Sequence, residues 1–230
     1  MIWKTKGLTG VVDKQERKVA MIMAVQEQVI VHGFAGIKVD ELAKIMNVSR
    51  AKLYQYFGSK DGVITAMVQR YLDYVAAIAI PTKMETTAEF VTAFPQIFTA
   101  NVAYLGTTTP VFLRDLQQDY PQLYRQFMQV RHAYNQRLLA FYRDGQIAGF
   151  FDEAMIPHLA VLQDQQVIPA MLTREFLLSS GKSVAELTNG YFGQVVRAIV
   201  KPDQQAAVKQ ALAPDQFDRV IATFSRILMV

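Results

Sequence analysis

In the run NVSRAKLYQYFGSKDGV, residues 47–63, Arg50, Lys52 and Lys60 stand among Tyr54, Tyr56 and Phe57. Cations interleaved with phenols suit a polyanion: ammonium and guanidinium groups neutralise phosphate, Arg forks onto base edges, and phenol hydroxyls donate to phosphate oxygens. Nothing comparable points to catalysis. Cysteine is absent, and the three histidines, His32, His132 and His158, are widely separated. Neither an HExxH motif nor a phosphate-binding P-loop occurs, so no enzymatic activity, no cofactor and no metal site are expected.

Presenting those side chains requires short helices, and the punctuation supplies them. From about Lys14 a first helix carries Ile22, Val25 and Val29 at helical spacing and ends at His32-Gly33-Phe34, where glycine suits the left-handed C-terminal position. A second has Val39, Leu42, Ala43 and Met46 on one face, acids Asp40 and Glu41 in its first turn, and Asn47 at its end. Ser49 then caps a third helix over Arg50–Phe57, whose Leu53 and Phe57 point inward together. Arg50, Lys52, Tyr54, Gln55 and Tyr56 are left for contact, with Tyr56 outward and Tyr54 half-buried. Gly58 breaks the third helix and Ser59 caps a long fourth one.

The rest of the chain is also helical in pattern, without lasting period-2 alternation or hairpin turns. Thr86…Glu89 and Ser183…Glu186 fit capping boxes, and Pro110 and Pro121 fit first helical positions. Pro95 and Pro169 are expected to kink or divide their helices, and Gly145 and Gly149 to close the long helix from Pro121. With 51% apolar residues and mean hydropathy +0.12 the chain can bury a sizeable core, yet it has no apolar run of transmembrane length. It therefore reads as soluble, cytoplasmic and free of the membrane. Charge is unevenly spread: residues 1–60 hold ten Lys/Arg against five acids, and residues 61–230 hold fourteen against fifteen. A basic module attached to a near-neutral body is the expected arrangement, although small domains often differ by a few charges.

Two short helices joined by a turn, the second with an outward basic and aromatic face, make a helix-turn-helix pattern. Gly33-Phe34, Val39-Asp-Glu-Leu-Ala43, Val48-Ser49, Leu53-Tyr-Gln-Tyr-Phe57 and Ser59-Lys-Asp61 together resemble the DNA-binding domain of the TetR family of bacterial transcriptional regulators, over roughly residues 14–65. The resemblance implies base-edge contacts from Arg50, with Gln55 a second candidate, phosphate contacts from Lys52, Tyr54, Tyr56 and Lys60, and Ser49 as helix cap. Three positions depart from the usual pattern. Lys38 stands where Thr commonly caps the second helix, Asn47 where the turn commonly has Gly, and Ala51 where Gly or a small residue is common. Losing the threonine cap costs about 1 kcal/mol. Either the second helix frays, or Lys38 itself binds phosphate.

The expected architecture is thus all-α. Residues 1–60 form a three-helix helix-turn-helix domain with a basic arm (Lys4, Lys6, Lys14, Arg17, Lys18), and residues 61–230 form a larger helical domain for effector binding and dimerisation. The family resemblance implies a ligand-responsive homodimer, read as a repressor, on a palindromic operator with half-sites about 34 Å apart or more. Segments 155–178 and 184–200 are the implied dimerisation helices. Phe94, Phe98, Tyr104, Phe127, Met128 and Tyr134, with Arg131 as a polar group, are candidates to line a pocket for a small apolar or amphipathic effector; core packing accounts for the same aromatics. A helical lipid-binding or adaptor protein is the alternative. It would explain the apolar C-terminal part but not the basic motif.

Overall fold

The computed structural model describes residues 14–228. These form α1 (Lys14–His32), α2 (Val39–Ile45), α3 (Arg50–Phe57), α4 (Lys60–Ala77), α5 (Thr87–Leu105), α6 (Pro110–Asp119), α7 (Pro121–Ile147), α8 (Pro157–Met171), α9 (Arg174–Ser180), α10 (Val184–Ile199), α11 (Gln205–Ala211) and α12 (Asp218–Leu228). Among the described residues the only strand-like pairing is an isolated bridge between Phe151 and Val200. No helix among them is long and apolar enough to cross a membrane. Lys4 and Lys6 of the expected basic arm lie outside the described residues.

The local signals act as the chemistry of helix ends demands. Gly33 (φ 72°) and Asn47 (φ 54°) take left-handed conformations after α1 and α2. The Ser49 hydroxyl accepts from the Lys52 N–H at 3.2 Å, and the Ser59 hydroxyl from the Gly62 N–H at 2.9 Å. Ser183 and Glu186 close a full capping box at α10. Pro110 and Pro121 open α6 and α7, where a missing N–H costs nothing.

Of the two outcomes expected at Pro95 and Pro169, division does not occur: both sit inside continuous helices, α5 and α8. Gly145 lies within the last turn of α7 rather than after it; its carbonyl accepts the N–H groups of Phe150 and Phe151 at 2.8 and 3.1 Å, and its missing Cβ leaves room for the Phe151 ring. Gly149, with φ 78°, follows the helix end.

The chain separates into two compact units, and the division falls differently from residue 60. The first unit joins α1–α4 to residues 108–130, that is α6 and the first turns of α7; the second comprises residues 78–107 and 131 onward. Aromatic packing explains why α4 and α6 belong with the helix-turn-helix segment. Phe34, which follows α1, meets the rings of Phe112 and Tyr120 at 6.1 and 5.6 Å, while Tyr71 of α4 stacks on Phe127 at 5.6 Å. The second unit has a separate aromatic core in which Phe90, Phe94, Phe98, Phe150, Phe151 and Phe192 pack with neighbouring centroids 4.7–6.3 Å apart.

Candidate DNA-binding surface

α2, the Asn47 turn and α3 form the helix-turn-helix. Leu53, fully buried, anchors α3, while Phe57 is half-buried at its end. Arg50 and Gln55 are exposed and Lys52 is half-exposed. α3 is only eight residues long, and its capped N-terminus orients the first turn, which carries Arg50 and Lys52.

The two tyrosines differ from the expectation. Tyr54 is exposed (43%), whereas Tyr56 is partly covered. Tyr54 lies four residues after exposed Arg50 and shares its stripe; Tyr56 lies three after buried Leu53 and leans toward the core side. α1 completes the cover: the Lys14 ammonium sits 5.7 Å from the Tyr56 ring centroid and that of Lys18 sits 5.4 Å from Phe57's. Lys14, Arg17 and Lys18 are therefore residues of α1 rather than of an arm. This pairing of α1 cations with α3 rings had no local signal, since the partners are about forty positions apart.

Lys38 occupies the N-cap position of α2, is exposed and makes no side-chain cap bond. α2 nonetheless begins at Val39, with the acids Asp40 and Glu41 complementing its dipole. The Lys60 ammonium turns back to the Ala35 carbonyl at 3.5 Å. Arg50 is also engaged: its Nε lies 3.2 Å from one oxygen of Asp40, and its Nη1 donates to the other at 3.4 Å.

Behind this surface is a residue that sequence reasoning missed. Asp115 of α6, 2% exposed, accepts the N–H groups of Phe34 (2.8 Å) and Ala35 (3.1 Å). Burial raises the carboxyl's pKa, but these two bonds and the Arg114 guanidinium outweigh it, and the net shift is downward. Gly33 lets α6 approach so closely, because any Cβ there would press into Asp115 and stand 2.8 Å from Val111 Cγ2. A second tie joins the Tyr120 hydroxyl to Asp61, at the start of α4, at 2.7 Å. Tyr120 and Asp61 border an open cleft of about 740 Å³ that Lys60, Thr65, Asp119 and Gln126 also line.

The expected effector residues are divided between the two units. Phe127 and Met128 belong to the unit with the helix-turn-helix, Phe127 packed on Tyr71 and Phe112 and Met128 exposed. Phe94 and Phe98 are buried in the aromatic core of the other unit. Tyr104 and Tyr134 meet edge to face at 5.3 Å, and Arg131 donates to Gln165 at 2.7 Å. Tyr134 also hydrogen-bonds Asn101, whose amide donates to buried Asp164 at 2.9 Å; the Tyr191 hydroxyl donates to the same carboxylate at 2.7 Å. Burial outweighs these two neutral donors and pushes Asp164 up to about 6.

Three helices packed around Leu53, with a capped and basic third helix, define a helix-turn-helix DNA-binding fold. Residues 24–67 match the family of bacterial regulatory proteins described as the tetR family, so this segment is a TetR-family DNA-binding domain. Solved structures extend the likeness of fold to most of the chain. The ketosteroid transcriptional regulator KstR2 of Mycobacterium tuberculosis superposes with a TM-score of 0.59 at 13% identity, over 84% of this chain and 98% of its own. A TetR-family regulator from Rhodococcus sp. gives 0.54 at 15%, over 78% and 97%. A transcriptional regulator from Saccharomonospora viridis, solved with choline, gives 0.54 at 16%, over 82% and 100%. No curated protein matches the sequence significantly. The fold is that of TetR-family transcriptional regulators, an N-terminal helix-turn-helix joined to a larger helical part.

Proposed function

We propose that the protein is a sequence-specific DNA-binding repressor that acts in the cytoplasm as a homodimer on a palindromic operator and is released by a small apolar or amphipathic effector. The observation that carries the reading is the outer face of α3, where Arg50, Lys52, Tyr54 and Gln55 project from a capped helix narrow enough for a major groove. Arg50 reads a base edge with Gln55 beside it; Lys52, Tyr54, Tyr56, Lys60 and Lys38 grip phosphate. The second copy docks on the helices of segments 155–178 and 184–200. In support, Ile156, Leu159, Leu162 and Leu178 in the first segment are half or more exposed, an apolar display that a partner copy would cover.

The effector binds in the larger unit, with Phe94 and Phe98 as apolar wall and Tyr104, Arg131 and Tyr134 as polar contacts. It lowers DNA affinity by binding better to the arrangement of the dimer whose recognition helices do not match the operator spacing.

The test is selection of bound sequences from random DNA. Enrichment of a palindrome with half-sites about one helical turn apart is expected. Binding to it should weaken steeply with salt, because each phosphate contact releases counterions. Failure to enrich any sequence would refute the reading, and small molecules that dissociate the enriched complex would then identify the effector.

A further inference from the structure

We propose that Asp40 is a specificity-determining residue: it holds the Arg50 guanidinium in one orientation, so that the donors left open meet a single base pair. The inference rests on the reading of Arg50 as the base-contacting residue.

Asp40 lies in the first turn of α2 and Arg50 at the first position of α3, on opposite sides of the turn. Both carboxylate oxygens are used, one 3.2 Å from Nε and the other accepting from Nη1 at 3.4 Å. Tyr54, one turn further along α3, shares the exposed stripe of Arg50, and its interaction with the guanidinium, together with that of Asp40, favours the charged form. The guanidinium is thus tied across the turn to the other helix of the motif.

What the ion pair does is decided by where it sits. Its side chains are 59% and 70% exposed, so it adds little to the stability of the fold. A carboxylate within a surface that meets phosphate also opposes every DNA sequence alike. The pair has value only through geometry. A free arginine has many rotamers, can reach phosphate or several base edges, and loses that freedom on binding. One tethered by Asp40 has already given up part of it, with an Nη1 donor committed and Nε held against the other carboxylate oxygen. The rest are presented in one direction, which favours a bidentate base contact over an adventitious phosphate contact. Asp40 also offsets the unfavourable position of a cation at the N-terminus of α3.

The experiment uses the full-length protein and the DNA site obtained by random selection. Affinity is measured for that site and for every single base-pair change, in the wild type, Arg50→Ala, Asp40→Asn, the double variant, and Glu41→Gln. The last removes the same charge from the adjacent, exposed residue of α2. Arg50→Ala should abolish discrimination at one base pair of each half-site. Asp40→Asn should shrink discrimination at that same pair by about tenfold, strengthen binding to unrelated DNA, lower the melting temperature no more than Glu41→Gln does, and have no further effect on discrimination once Arg50 is alanine. Glu41→Gln should strengthen binding to all sequences and alter no preference. If Asp40→Asn merely mimics Glu41→Gln, or alters preference at another position, the role of Asp40 is overturned while Arg50 keeps its own. If Arg50→Ala alters no preference, the base-reading role of Arg50 falls and the inference falls with it.

Discussion

Asp115 and Asp164 are both buried, one in each compact unit, yet their pKa values are displaced in opposite directions. Asp115 lies below the ordinary value because two backbone N–H groups and a guanidinium face it, whereas Asp164 is raised to about 6 because its hydrogen-bond partners among the described residues, Asn101 and Tyr191, are neutral side chains. Exposure does not separate them, since both are under 5% exposed. The difference lies in the donors. Backbone N–H groups at a helix end have fixed dipoles and no other partner, and with Arg114 they compensate an anion; one amide and one phenol do not replace its lost hydration. The first aspartate is a charged clasp for the DNA-binding unit. The second is a titratable group inside the unit proposed to bind the effector.

Asp115→Ala orphans the N–H groups of Phe34 and Ala35 and should cost about 3 kcal/mol at neutral pH, the larger share from the buried Phe34 donor and the smaller from the part-buried Ala35 one. Urea denaturation followed through the aromatic signal would measure it, and a loss below about 1 kcal/mol would mean that water satisfies both donors.

Asp164 calls for the opposite pH dependence. Its folded pKa is raised, so between pH 4 and 6 the folded state holds a proton that the unfolded state has released. Stability should therefore decline as pH rises through that window, by about 3 kcal/mol in total, whereas the depressed pKa of Asp115 makes its own contribution fade as pH falls below about 4. Asp164→Asn should flatten the pH 4–6 limb of the melting curve, and an unchanged limb would assign it to other groups.

Tyr191→Phe removes one of the two donors to Asp164. It should cost about 1–2 kcal/mol at pH 7 and move the midpoint of the same limb upward; a downward shift would contradict the hydrogen bond's role. The smallest effect belongs to Arg114→Ala. The Arg114 side chain is 61% exposed, so its loss should cost no more than about 0.5–1 kcal/mol and leave the acid limb below pH 4 in place. A collapse of that limb would shift credit from the backbone N–H groups to the guanidinium.

Legibility of the site followed the same division between near and far partners. Ser49, Asn47 and Gly33 were readable because a cap or a left-handed turn concerns groups three or four residues apart. The basic and aromatic composition of α3 was readable too, but which tyrosine faces outward was not, since the deciding cover comes from Lys14 and Lys18 on α1. Asp40 was visible only as a first-turn acid; its contact with Arg50 depends on how two helices meet across the turn. For the expected effector residues, apolar periodicity marked burial correctly at Phe94, Phe98, Phe127 and Tyr134. It could not assign them to a unit.

The sequence by itself determined the all-helical class, the bounds of α1–α3, the starts of α4–α7 and α10, and the place of the helix-turn-helix, because these depend on caps, glycines, prolines and a 3.6-residue period. Tertiary structure alone decided that residues 108–130 join the helix-turn-helix unit, that Asp115 clasps a turn 81 positions away, and that Asp164 is buried between Asn101 and Tyr191. A carboxylate's charge state depends on the donors that surround it in space, and chain distance carries no information about those.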